Sequence, residues 1–394
     1  RGGPLPPRLS RSPGRGLGGG ARGALGNTGA GRSRGGRTAR TLSRRELEVW
    51  LDRQLSTKGD DWARAVRDQI SELAPVLGLE AEAETLGGLR GALLGSRRVP
   101  VVSAELGARM RGAGFDAARV ALLDRLVTHL LTTAPPAPRP ADGGPRETVL
   151  PFVEAYFSNF IEGTEFAFDE AAGIVYDGIE SEARPADAHD IRGTFALVAD
   201  EVEMRRIPTS GDDLIDLLRR RHAILMAGRP DTRPGELKEI ANRAGTTFFV
   251  APRLVRGTLT AGFERYAQLV DPFARAAFVM FLVAEVHPFD DGNGRIARVM
   301  MNAELVAADQ ARIVIPTVYR SNYVMALRGL TQNANARSYV AMLDFAQRYT
   351  AQLDCTSVAS AEHMLAETNA FVDPMDADTR GIRLLLPSGP THSV

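Results

Sequence analysis

The residues best suited to chemistry lie in one short run, His287, Pro288, Phe289, Asp290, Asp291, Gly292, Asn293, Gly294, Arg295, Ile296, Ala297 and Arg298. Glycines on either side of Asn293 let the backbone aim several amide N–H groups at one spot. They also open a helix whose unpaired N–H groups and positive dipole end favour an anion. That combination is a phosphate seat. Arg295 and Arg298, three apart, fall on the same side of the new helix and can clamp further phosphoryl oxygens through paired hydrogen bonds. Asp291, just before the seat, is placed to hold a hard cation such as Mg²⁺, which keeps its waters and binds through one or two carboxylates plus the substrate phosphates. His287, with an ordinary pKa near neutrality, is suited to removing a proton from an incoming hydroxyl.

Two helices must position this loop. Phe278 to Glu285 has almost no helix breaker and one charge, so it reads as a buried helix. After the loop, Ile296, Val299, Met300 and Ala303 recur on one face of a second helix. The loop resembles the signature of the Fic family, H-P-F-x-[D/E]-G-N-G-R-x-x-R, with every fixed position present. The resemblance implies an all-α fold: a Fic-type helical core with a small β-hairpin flap. It implies transfer of AMP from ATP to a Ser, Thr or Tyr hydroxyl of a target protein, with release of pyrophosphate. By the same resemblance His287 is the general base, Phe289 anchors the loop, and Asp291 holds Mg²⁺ or Mn²⁺. Gly292, Asn293, Gly294 and Arg295 cradle the α- and β-phosphates, and Arg298 takes the γ-phosphate.

Upstream, Pro151 to Gly163 gives a helical stripe, Phe152, Ala155, Tyr156, Asn159 and Phe160, that stops at a glycine. Ser158 and Glu162 are four apart and share a face. This segment resembles the family's inhibitory motif, [S/T]-x-x-x-E-[G/N], carried by Ser158, Glu162 and Gly163. The implied mechanism pairs Glu162 with Arg298 where the γ-phosphate would sit, leaving ATP in a pose that cannot react. Thr246 to Val250 is the densest β-forming run in the chain. It stands where the family's flap would bind an extended target segment by main-chain hydrogen bonds. By the same resemblance Tyr323 stands where family members place an adenosine-contacting tyrosine, an ordinary packed aromatic being the alternative. Asn302, four residues beyond Arg298, is near enough along the helix to orient it.

The chain has 394 residues with 48 basic and 48 acidic side chains, enough to bury a large core in two or three structural units. Its neutral balance argues against nucleic-acid binding as the global role. One cysteine, Cys355, excludes an intrachain disulfide and agrees with a reducing, cytoplasmic setting. No apolar run is long enough for a membrane span. Residues 1–42 read as a disordered tail or the product of a misplaced translation start: the first forty hold nine arginines and no acidic residue. An RNA-binding tail is the alternative, but no aromatic lies between the arginines to stack on bases.

Residues 43–131 are expected to form a helical accessory domain, opening on a capped start at Ser43 and Glu46. Prolines make 132–149 a linker. The Fic domain spans 150–350 and includes the inhibitory helix 151–163; 351–394 form a C-terminal helix and tail, with a small appended strand as an alternative ending. His189 and His222 belong to no cluster with metal-ligand spacing and read as structural or surface residues. Self-modification and a homodimer are compatible with this reading. Its competitors are removal of AMP by the same site, with Glu162 positioning water, a different phosphate-containing donor, and a helical interaction module with a vestigial site.

Overall fold

The computed structural model describes residues 43–93, 100–110, 113–245 and 247–387. The arginine- and glycine-rich tail therefore lies outside the described residues, as does Thr246 of the expected flap. The chain divides into two compact units, Arg1–Gly114 and Phe115–Val394. No helix among the described residues is long and apolar enough to cross a membrane.

The first unit holds α1 (Arg44–Leu77), α2 (Glu80–Leu93) and α3 (Ala104–Met110). The capping box is formed: Ser43 Oγ accepts from the Glu46 amide at 3.3 Å, and Glu46 Oε2 accepts from the Ser43 amide at 2.7 Å. The first helix is continuous over its whole length and ends where Gly78 takes the left-handed conformation. Leu47, Leu51, Leu86, Leu89 and Leu106 form its core. Two buried carboxylates fix the third helix to the first. Glu48 accepts the amides of Val102 and Ser103, both at 2.7 Å, and Asp52 pairs with Arg109 at 2.5 Å.

The second unit begins with α4 (Ala117–Thr132), α5 (Leu150–Ile161), α6 (Phe168–Tyr176), α7 (Pro185–Ala199), α8 (Glu201–Met204) and α9 (Gly211–Leu225). A hairpin follows, β1 (Arg243–Ala244) and β2 (Thr247–Phe248), antiparallel with Arg243 opposite Phe248. Then come α10 (Val255–Tyr266), α11 (Pro272–Val286), α12 (Asn293–Ala307), α13 (Arg320–Asn333), α14 (Ala336–Thr350), α15 (Val358–Glu367) and α16 (Pro374–Arg380). Among the described residues the chain ends in a helix followed by a segment without regular structure, with no appended strand.

Expected with the accessory region, α4 lies in the second unit because Leu122, Leu123, Leu126 and Val127 enter the same core as α11. The proline tract after it is docked rather than free. Pro140 bridges to Gln310, and the Arg139 guanidinium reaches Gln347 at 2.8 Å and Asp344 at 2.6 Å. At the centre, α11 is apolar on every side and buried, as a helix without a solvent face must be. Its partner α12 is buried all round too, so the expected single stripe is split. Ile296 and Met300 enter the core around α11, whereas Val299 and Ala303 enter a second core with Phe152, Phe157 and Phe168.

Candidate active site

The loop between α11 and α12 is held by side chains at nearly every residue. His287 caps α11 in the left-handed conformation, φ 53°, its amide donating to the Val283 carbonyl at 2.9 Å. Its Nδ1 lies 3.2 Å from the Ala284 carbonyl oxygen, so that nitrogen carries the proton and Nε2 keeps a free lone pair. The ring stacks on Phe249 at 3.7 Å and 3°. Burial pushes the imidazole pKa down to about 4; the Ala284 carbonyl opposes that shift and the nearby Lys238 ammonium adds to it.

Phe289 is fully buried and stacks on His222 at 3.8 Å. His222 Nδ1 accepts the Gly235 amide at 2.9 Å, which makes Nε2 the donor to the Asp291 carbonyl at 3.0 Å. Asn293 closes the loop on itself: its Oδ1 accepts the Phe289 amide and its Nδ2 donates to the Phe289 carbonyl, both at 2.9 Å. Gly292, at φ 71°, has no room for a side chain, since a Cβ would stand 2.7 Å from Met226 Sδ.

Arg298 is buried, and one turn of α5 supplies three acceptors for it. Ser158 Oγ takes Nε at 3.0 Å, while the Ser158 carbonyl and Glu162 Oε1 take the same terminal nitrogen at 2.8 and 2.7 Å. The other terminal nitrogen lies 3.3 Å from the Tyr323 hydroxyl. The Glu162 carboxylate rests on the first turn of α12, where a Cβ on Gly294 would meet its Oε1 at 2.1 Å. The two residues that share a face in the sequence pattern therefore converge on the arginine.

His287, Glu162, Gly294, Arg298 and Tyr323 line one cleft of 260 Å³, with Phe249 and Thr247 of the flap region at its edge. Other expected contacts lie elsewhere. The Arg295 guanidinium is buried and turned to Asp190 at 2.6 Å, which Arg229 also holds at 2.7 Å. Arg295 and the inward-turned Asn293 thus shape the loop from behind. Asn302 binds the Ile313 amide and carbonyl at 2.8 and 3.0 Å, so it fixes the segment after α12 instead of orienting Arg298. Asp291 is more than half exposed, with Oδ1 on the Gly292 amide and Oδ2 3.8 Å from Arg295.

Sequence reasoning passed over Asp190, Lys238 and Asn242. Lys238, its pKa pushed down to about 8 by burial, donates its amide to the Pro288 carbonyl at 2.9 Å; Asn242 donates to the Phe289 carbonyl at 2.9 Å. Nothing in their local pattern separates them from surface polar residues, and only the tertiary fold brings them beneath the loop. The flap itself is shorter than expected. Phe249 and Val250 leave the hairpin, the first to cover His287 and the second to enter the core.

Residues 213–305 match the model of the Fic/DOC family. Over 191 residues the chain is 25% identical to protein adenylyltransferase fic-1 of Caenorhabditis briggsae, which covers 46% of this chain and 36% of that protein. It is 23% identical over 214 residues to protein adenylyltransferase Fic of Drosophila melanogaster, covering 48% and 39%. The chain spans well under half the length of these curated relatives. Among solved structures, a Fic domain containing signaling protein from Bacteroides thetaiotaomicron is similar at 20% identity and a TM-score of 0.47, covering 62% of this chain and 97% of that one. The signature loop, complete from His287 to Arg298, lies inside the stretch 213–305 that matches the Fic/DOC family, and it is for this stretch that the chain is similar to that family.

Proposed function

We propose that this protein is an adenylyltransferase that moves AMP from ATP to a hydroxyl side chain of a target protein and is held in check by Glu162. The observation that carries the reading is the 2.7 Å contact between Glu162 and Arg298 inside the cleft that also holds His287. In the reaction, His287 Nε2 takes the proton of the target hydroxyl. The hydroxyl oxygen attacks the α-phosphorus, and the bond to pyrophosphate breaks on the opposite side. Backbone amides at Gly292 to Gly294 and the dipole of α12 receive the phosphates, and Arg298 takes the γ-phosphate once Glu162 leaves it. Arg295 and Asn293 keep that seat in shape.

Asp291 suits a metal that arrives with the nucleotide. Among the described residues no group of three or more His, Cys, Asp or Glu side chains gathers to hold an ion, so a single exposed carboxylate would share the cation with phosphate oxygens. Mg²⁺, or Mn²⁺ in its place, would supply charge neutralisation at the transferring phosphate. The target segment would lie along the hairpin by strand addition, with its hydroxyl over His287. A second reading, removal of AMP with Glu162 positioning a water, is favoured by the same carboxylate, which is one-third exposed and faces the cleft with His287.

Incubating the protein with cell extract and ATP labelled at either the α- or the γ-phosphate tests the proposal. Glu162→Gly should label protein from the α-position well above the parent, and adding His287→Ala should abolish it. Label entering only from the γ-position would sink AMP transfer in favour of phosphate transfer. Loss of AMP from pre-modified protein with the parent, and not with Glu162→Gly, would establish the second reading.

A further inference from the structure

Glu285 is the one charge in the apolar stretch of α11 from Phe278, and the reaction above does not use it. It is buried, ion-paired with Arg119 of α4, and accepts the Thr331 hydroxyl of α13 on its other oxygen at 2.7 Å. The same guanidinium has a second acceptor: its other terminal nitrogen donates to the Phe248 carbonyl, at the end of β2, at 2.5 Å. The next residue, Phe249, is the ring that lies on His287. On its opposite side the flap hangs from the signature loop through the Lys238 amide and the Asn242 side chain, which bind the carbonyls of Pro288 and Phe289.

Building on the proposed transferase, we infer that Arg119 is a positioning residue, clamped by Glu285 so that it fixes the flap at Phe248 and sets the register of Phe249 and of the bound target over His287. A hairpin of two residue pairs is marginal by itself, so tethers outside it decide whether it presents an ordered edge. A planar guanidinium can serve two acceptors at once, here a carboxylate on one side and a carbonyl on the other. An ammonium on a flexible stem keeps the charge without that fork.

Arg119→Lys is therefore the discriminating substitution, because it leaves Glu285 with a cation and releases Phe248. Backbone amides at 243–245 and 247–249 should exchange with solvent about tenfold faster than in the parent, the worth of one charge-assisted hydrogen bond. The KM for a protein target should rise by about the same factor, while nucleotide affinity and the thermal midpoint stay close to the parent's. If Arg119→Lys unfolds the chain, the double variant Arg119→Leu with Glu285→Leu leaves no buried charge unpaired and should loosen the same amides. Parent-like flap exchange in a folded variant overturns the inference. That exchange is read without nucleotide or target, so an absence of AMP transfer even with Glu162→Gly would sink the function and leave this result to stand or fall alone.

Discussion

The imidazole of His287 starts neutral because it is covered, and the cover is an aromatic ring. In the proposed reaction, a base whose pKa is pushed down to about 4 is a weak one, suited to receive its proton late, as the new oxygen–phosphorus bond forms. The sign of the pH dependence follows. Only the unprotonated ring can act, and a lowered pKa keeps it unprotonated further into acid. With Glu162→Gly to give a measurable rate, kcat/KM for transfer should stay flat from about pH 8 to about pH 5, with its acid limb near 4 in place of the roughly 6.5 of a free imidazole. A limb near 6.5 would mean that Phe249 does not cover the ring in the working enzyme. At this scale the loop was legible from residue types and spacing. The direction of individual side chains was not: Arg295 and Arg298 lie three apart on one helix, yet one turns to Asp190 in the interior and the other to the cleft.

Under the proposed function a single helical turn would make α5 the inhibitory element, because i and i+4 positions share a face and both reach one guanidinium. Ser158 supplies two of the three acceptors and Glu162 the third. Phe152, Tyr156 and Phe157 anchor the helix in the aromatic cluster with Phe168 and Phe371, so the turn is presented from a fixed support. Removing the Ser158 hydroxyl takes one charge-assisted bond from the resting position of Arg298, worth about 1.5–3 kcal/mol. Ser158→Ala should lower conformational stability by about that amount in urea unfolding. Its transfer rate should fall between those of the parent and Glu162→Gly. A rate at or below the parent would show that the serine steadies the arginine without helping to sequester it. The spacing of this motif was readable in the sequence; the stripe along α12 was misread as one face because periodicity does not reveal that a helix has apolar neighbours on both sides.

For the molecule as a whole, the proline-rich tract looked like a boundary because prolines cannot continue a helix, but composition does not say whether such a segment docks. Here it is pinned by Arg139, and the division falls earlier, at Gly114. A chain beginning at Phe115 should unfold cooperatively and bind nucleotide. One beginning at Thr133 loses Leu122, Leu123, Leu126 and Val127 from the core around α11, where each buried leucine is worth about 2–5 kcal/mol. It should not fold, as circular dichroism during heating would report. Equal melting of the two would return α4 to the first unit. Arg298 belongs to the helix that divides the two cores, and α5 belongs to the second of them. Under the proposed function, triphosphate and Glu162 compete for that one guanidinium, and linkage makes the competition mutual. Docked Glu162 weakens the γ-phosphate contact by the same factor with which bound triphosphate disfavours the docked carboxylate. A partner that tightens the aromatic cluster around α5 would therefore raise the dissociation constant for ATP, and the ambient ATP concentration would itself be one of the settings of the switch.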